Sequence, residues 1–283
     1  MTRRNIHAVV YGYKSSNLPA AVAAIYDNAS PSAVISVVVH DQHPLNRASK
    51  MPTRDSLEYN HVFWDHQYTP INYKKKEGVS TNEDYFLSIS GDITLGKDWD
   101  EELIKAIDGR EHVAISGMGK ANVSIEGKYF IKNSPTESDS FTISNYIDRN
   151  MMFGPSRVFN ITRFPTYMKY FGEEEMISLD LFFKGIPIYS CPSGYYSDNN
   201  ERSIEKLYVP FSIEHHYNSF IDFINDAEDE QDSVERFFIF HGIDYKKIKK
   251  IPYQIDDVLY DPNTLQIVDI GGERFIDSVN AIY

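Results

Sequence analysis

Cysteine is nearly missing from this chain. Cys191 stands alone among 283 residues, which excludes an internal disulfide framework and a zinc site built on several thiolates, and fits a reducing compartment. Long apolar runs are missing too: no stretch reaches the roughly 18 consecutive apolar residues of a membrane-spanning helix. The opening segment, MTRRNIHAVVYGYK, carries an apolar run that is too short for a signal peptide and reads as a strand. A soluble, cytoplasmic protein with no membrane association is the expectation. Positive charge is also in deficit. The formal net charge of −13 argues against broad, nonspecific adhesion to nucleic acid or anionic lipid, although a local basic patch is compatible with it.

What is plentiful is apolar and aromatic side chain. A hydrophobic share of 42% in a chain of this length supports one large core, or a main domain with a smaller appendage. The 20 tyrosines offer flat apolar faces with a polar edge, suited to sugars and bases as well as to core packing.

The first half alternates strands and helices. Ile6 to Tyr13 reads as a buried strand. Leu18, Val22, Ile25 and Tyr26 then share one helix face, with Asn17 and Pro19 suited to its start. AVISVVVH, rich in β-branched residues, reads as a second strand ending at His40-Asp41, and HVFWD (His61 to Asp65) as a third. This order predicts a parallel sheet with crossover helices and a ligand crevice outside the carboxyl ends of the strands. The segment YFLSISGDITLGKDWDEEL (Tyr85 to Leu103) supplies another strand and then a helix buried through Trp99, Leu103, Ile104 and Ile107. Asp98 and Glu101 have capping-box spacing, so helix-end electrostatics accounts for most of the acids there. Asp92 is left over: a carboxylate just past a buried strand needs a cation or water to meet it.

Further on, HVAISGMG and KYFIKN read as strands. FGEEEMISLDLFFKG reads as a helix apolar almost all round and closed by Gly185, and IPIYSCPS as a strand. From about residue 205 the texture changes to two helical patterns separated by the acidic loop DAEDEQD. Asp261-Pro262-Asn263 marks a closing hairpin. The expected division is a main domain over residues 1–205 and a helical and hairpin extension over 206–283.

Taken in order, these motifs resemble the GT-A type glycosyltransferases, and among them the family that transfers N-acetylglucosamine to protein hydroxyls, the Skp1-modifying type. The residues that carry the resemblance are YGYKSSNLP after the first strand, TPINYK with Pro70 and Lys74, and SGD at the position of the family's metal motif. DWDEEL, the Phe171 to Glu174 stretch before a helix, and Gly242-Ile243-Asp244 near the end complete the set. The resemblance implies an α/β, Rossmann-like three-layer fold that binds a nucleotide sugar, with a small C-terminal extension. It implies a metal-dependent transfer from a nucleotide-sugar donor, a uridine diphosphate sugar, to a hydroxyl acceptor on a protein or carbohydrate.

The resemblance also assigns residues. Tyr11, Gly12 and Tyr13 would meet the donor base, Asp41 the uracil or ribose, and Lys74 and Ser90 further parts of the donor. Asp92 and Asp198 would hold a manganese or magnesium ion, the second standing where the family has a histidine. Ser90 replaces the first carboxylate of the metal motif, leaving water and the diphosphate to fill the remaining oxygen positions. Glu173 and Glu174 would act on the reacting centre, with the helix dipole keeping them ionised. Each assignment has a plainer counterpart: core packing for the tyrosines, a turn cap for Asp198, helix-start preference for the glutamates. Two other functions fit the same residues. One is sugar transfer to hydroxymethylated bases of DNA, with Lys74 to Lys76 and Lys246 to Lys250 as phosphate contacts. The other is a non-catalytic sugar- or protein-binding relative.

Overall fold

The computed structural model describes residues 3–13, 15–43, 45–62, 83–107, 109–117, 120–126, 129–136, 139–144, 146–148, 150–162, 173–192, 196–198 and 235–237. Strand β1 (Arg4–Tyr13) leads into helix α1 (Leu18–Asp27) and strand β2 (Ala33–Gln42). The two strands pair in parallel over their full length, from Arg4 opposite Ala33 to Tyr13 opposite Gln42. Asn17 stands at the N-cap of α1 as expected. Its side chain, however, donates to Thr94 Oγ1 at 3.1 Å rather than capping the helix.

Strand β3 (Leu57–Val62) extends the sheet outward in parallel to β2. It begins at Leu57, not at His61 as the apolar run HVFWD suggested: the alternation of Leu57, Tyr59 and His61 with Glu58 and Asn60 is the pattern of a half-covered edge strand, which a search for continuous apolar runs passes over. The chain then returns to the other side of β1, where β4 (Tyr85–Ser90) pairs with it in parallel. The strand order therefore reverses between β1 and β4.

Beyond β4 come the short strand β5 (Ile93–Leu95), helix α2 (Trp99–Ile107) and strand β6 (Ala114–Ser116). A separate hairpin of β7 (Lys120–Glu126) and β8 (Tyr129–Thr136) follows, then β9 (Thr142–Ile143) and β10 (Met151–Pro155). Helices α3 (Ser156–Ile161) and α4 (Glu173–Phe183) and strands β11 (Ile188–Ser190) and β12 (Tyr196–Asp198) complete the described elements. The main sheet runs β3-β2-β1-β4-β10-β6-β11-β9. It is mixed, not parallel throughout. Strand β10, which sequence periodicity did not reveal, lies antiparallel to both β4 and β6.

Each face of the sheet has its own core. On one, Ile6, Ala8, Val10, Leu87, Ile89 and Phe153 pack under α1 and α2. On the other, Val9, Phe86 and Met152 pack under α3 and α4. All four residues expected to bury α2 do so, and Trp99 also donates its indole N–H to the Ile25 carbonyl at 3.1 Å. Helix α4 is buried nearly all round and ends as expected at Gly185, whose φ of 65° lets its amide reach Phe182 and that of Ile186 reach Leu181. Phe237, the buried residue of the described part of the C-terminal extension, sets its ring 5.6 Å from Phe182 of α4. The rest of residues 206–283, including the expected hairpin, lies outside the described residues.

The start of α2 departs from the capping-box expectation. Asp98 adopts a left-handed φ of 56°, and its amide donates to Asn28 at 2.6 Å, so it is not available to Glu101. Asp100 is fully buried and accepts from the Ser30 amide at 2.7 Å and the Ser30 hydroxyl at 2.6 Å, tying α2 to the turn before β2. Burial without those partners would be expensive.

Two outcomes follow from this packing. Asp100→Ala strands the Ser30 amide and is expected to lower stability in urea by roughly 2–3 kcal/mol, while the exposed Glu101→Ala changes it by less than about 0.5 kcal/mol; equal midpoints would contradict the buried tie. Cys191 is fully buried at the end of β11, and burial pushes its thiol up to about 12. The native protein should therefore resist alkylation at neutral pH and react with one equivalent when denatured. Rapid labelling of the folded chain would show that this part of the core is open.

Candidate functional site

The parallel strands end together along one rim of the sheet, and the crevice between β1 and β4 is the point where the strand order reverses. Ligands of open α/β sheets bind at such points. Here β4 runs out at Ser90, and the next turn is fixed from both sides. The Gly91 amide donates to the Tyr11 carbonyl at 2.7 Å, and the Ser90 amide donates to the Asn150 carbonyl at 2.7 Å. Ser15, fully buried, donates its hydroxyl to the Gly91 carbonyl at 3.1 Å. Asp92 emerges from this turn half-buried, its amide directed to the Ser90 hydroxyl at 3.3 Å.

Glycine at 91 is a packing requirement. A Cβ there would lie 2.6 Å from Leu18 Cδ1, and one on Gly12 would lie 3.0 Å from Leu18 Cδ2. Leu18, the first residue of α1, thus wedges between the ends of β1 and β4. This contact gives Gly12 a structural reason to be glycine that needs no ligand.

Strand β12 brings Asp198 to the same corner. It pairs antiparallel with β5, placing Asp198 opposite Ile93, the residue after Asp92. Directly opposed residues of such a pair have Cα atoms about 4.5–5.5 Å apart. Two expected metal ligands more than a hundred residues apart in sequence are thereby brought close, Asp198 at the last pair of the ladder and Asp92 in the turn just before it. Among the described residues, no group of three or more His, Cys, Asp or Glu side chains is placed to hold a metal ion. Two carboxylates with nucleotide phosphate oxygens would nevertheless form an all-oxygen donor set, which fits a hard cation such as Mg²⁺ or Mn²⁺.

Tyr11 and Tyr13 both lie within β1, which continues as a strand through Tyr13 opposite Gln42, so no turn begins at Gly12. Tyr11 sits between His40 and Ser90 in the ladder and is 8% exposed. Asp41 differs from its expectation as an acceptor for uracil or ribose. It is fully buried, with Oδ1 accepting from Arg47 Nη2 at 2.5 Å and Oδ2 accepting from Arg47 Nε at 2.9 Å and Tyr59 Oη at 2.8 Å. In this arrangement it presents no accessible oxygen to a base. Burial, together with the hydrogen bond to the Asp41 carboxylate, raises the Tyr59 hydroxyl to about 12, so it remains a donor at any physiological pH. Lys74 and both lysine-rich segments lie outside the described residues.

Glu173 and Glu174 open α4, as the sequence implied. Glu174 is 7% exposed, and its carbonyl accepts from the Ser178 hydroxyl at 2.6 Å. Ser178 in turn accepts from the Ile147 amide at 2.9 Å, docking the first turn of α4 against residues 146–148. That segment was not singled out in the sequence. It contains Asp148, 3% exposed, whose carboxylate accepts from the Asn150 amide at 2.7 Å and whose own amide donates to Ser116. Because Asn150 also receives the Ser90 amide, the acidic start of α4 is linked to the Asp92 turn through one short segment. The signal for it was the polar stretch SNYIDRN set before the apolar MMFG.

The sequence matches no family model and no curated protein. Solved structures do match. One is GalNAc-T7 crystallised with UDP, GalNAc and Mn²⁺, at a TM-score of 0.51 and 9% identity over 85% of this chain and 55% of that one. The chain thus spans about half the length of the structure it matches. At that identity the likeness is one of fold, and it agrees with the mixed eight-stranded sheet covered by helices on both faces. The protein has the GT-A type, Rossmann-like α/β fold.

Proposed function

We propose that the protein is a glycosyltransferase that moves a sugar from a uridine diphosphate donor to a hydroxyl acceptor with the aid of Mn²⁺ or Mg²⁺. The observation that carries this reading is the pairing of Asp198 with Ile93, which brings it beside the turn that carries Asp92, next to the crevice where the strand order reverses. The fold neighbour, crystallised with UDP and Mn²⁺, supports it. Asp92 and Asp198 would hold the cation, which when bound neutralises charge on the departing diphosphate. Tyr11 and Tyr13 would meet the donor base, with Gly12, Ser90 and Lys74 close to the donor.

Transfer requires that the bond from the anomeric carbon to the diphosphate break and a bond to the acceptor oxygen form, with the acceptor proton taken by a base. Glu173 and Glu174 stand where the amide dipoles of α4 favour an ionised carboxylate, so one of them accepts that proton or holds a sugar hydroxyl. The resemblance to the protein-hydroxyl N-acetylglucosaminyltransferases, carried in part by FGEE and DWDEEL, points to N-acetylglucosamine as the sugar and a protein hydroxyl as the acceptor. Among the described residues no helix is long and apolar enough to cross a membrane, and a cytoplasmic site of action is part of the same reading. A panel of nucleotide sugars with Mn²⁺, scored for nucleotide release with protein, carbohydrate and hydroxymethylated-DNA acceptors, tests the reaction. Donor binding without any release would favour a non-catalytic relative.

Two substitutions test the residue roles. Asp92→Asn should abolish the Mn²⁺-dependent part of UDP binding in calorimetry and leave the melting temperature close to that of the parent; unchanged metal and UDP affinity would remove Asp92 from the metal site. Glu173→Gln and Glu174→Gln separate chemistry from binding. At least one of them should lower kcat by about 100-fold or more while UDP affinity changes little. Parental turnover in both would return these residues to the role of starting a helix.

A further inference from the structure

Arg47 and Asp41 form an ion pair whose side chains are 7% and 0% exposed. Taking two such charges out of water is costly, and aliphatic pairs of similar volume commonly serve stability as well or better. The pair therefore calls for a reason beyond holding the fold. Its hydrogen bonds supply one. The guanidinium forks onto both Asp41 oxygens through Nε and Nη2, and its Nη1 donates to the Ser15 carbonyl at 2.5 Å. The Arg47 amide donates to Tyr59 Oη at 3.0 Å, and that hydroxyl donates to Asp41. Ser15 then passes the connection to the Gly91 carbonyl. Through one planar group, the end of β2, the β3 residue Tyr59, the segment after β1 and the turn after β4 are joined.

These are the backbone segments that border the crevice, and the last of them carries Asp92. We propose that Arg47 is a positioning residue for the nucleotide diphosphate: acting through Ser15 and Gly91, it fixes the crevice rim in the geometry that receives the donor before the donor arrives. Pre-set geometry of this kind raises affinity by removing the ordering cost from the binding step. A lysine could carry the charge but not the fork, since three acceptors in one plane need the guanidinium. The inference rests on the reading of the crevice as a nucleotide-sugar site.

The decisive comparison is a double variant, Asp41→Leu with Arg47→Met, against the parent, Arg47→Lys and Ser15→Ala. Two readouts are needed: the Kd for UDP with Mn²⁺, and amide hydrogen exchange without any ligand. The double variant should melt close to the parent, bind UDP about tenfold more weakly or worse, and exchange faster at Ser15–Asn17 and Gly91–Thr94 while β6 and β10 stay protected. Arg47→Lys should fall between the two. A double variant with parental melting, exchange and Kd would overturn the proposal. Should it fail to fold, Ser15→Ala decides, because it keeps the ion pair and removes only the link to Gly91. Faster exchange at Gly91 with weaker UDP binding supports the proposal, and no change in either sinks it. A parent that binds no UDP with any divalent cation would refute the donor reading itself, whereas the exchange pattern reports on the rim regardless.

Discussion

The amide of Gly91 and the carbonyl of Tyr11, 2.7 Å apart, close the seam between the two strands where the sheet changes its order of assembly. Everything proposed for the site presupposes that seam. Leu18 fills it from one side so closely that a Cβ at Gly91 would meet its Cδ1 at 2.6 Å and one at Gly12 its Cδ2 at 3.0 Å, so the leucine would have to shift. Ser15 bonds to the same glycine, and the turn that follows delivers Asp92 to the rim. A bulkier residue at 91 would push back Leu18, the first residue of α1, and with it the packing of that helix on Ile6, Ala8 and Val10. Core packing and site geometry are thus one constraint seen from two sides.

The same packing sorts the carboxylates of this acidic chain. The charges divide into two kinds. Asp41 and Asp100 are fully buried with their oxygens occupied by Arg47, Tyr59 and Ser30, and serve as internal ties. Asp92, by contrast, is half-buried at the rim. A carboxylate with protein donors on both oxygens has little left for a ligand.

Regular elements with strong local signals were legible in the sequence. The strands through Val9, Val37 and Leu87, and the buried stripe of α2, announce themselves by β-branched runs and helical spacing. The close of α4 at Gly185 follows from the need for a left-handed residue there. Strand β3 was displaced because its alternating pattern competes with the more apolar run that follows it. Strand β10 was missed because five residues set between a polar stretch and a helix start carry no period of their own. The rim was legible only in part. Asp92 stood out as an acid with no local explanation, and Asp198 emerged through family likeness. Arg47, Tyr59 and Asp148 could not be found that way, because their significance lies in partners brought together by the fold, with no fixed spacing between them.

Strand β10 enters the sheet against the direction of its neighbours, and this bears on how the chain is made. Tyr85 can pair with Ile6 only after the intervening segment has been synthesised, and the other edge of β4 then waits for Met151–Pro155. On the ribosome the apolar ribbon YFLSIS has a bare edge throughout that interval, and a bare strand edge is a template for pairing with another chain. The strand that covers it among the described residues, β10, arrives from downstream, travelling in the opposite direction. A parallel neighbour made earlier in the sequence would have covered that edge sooner.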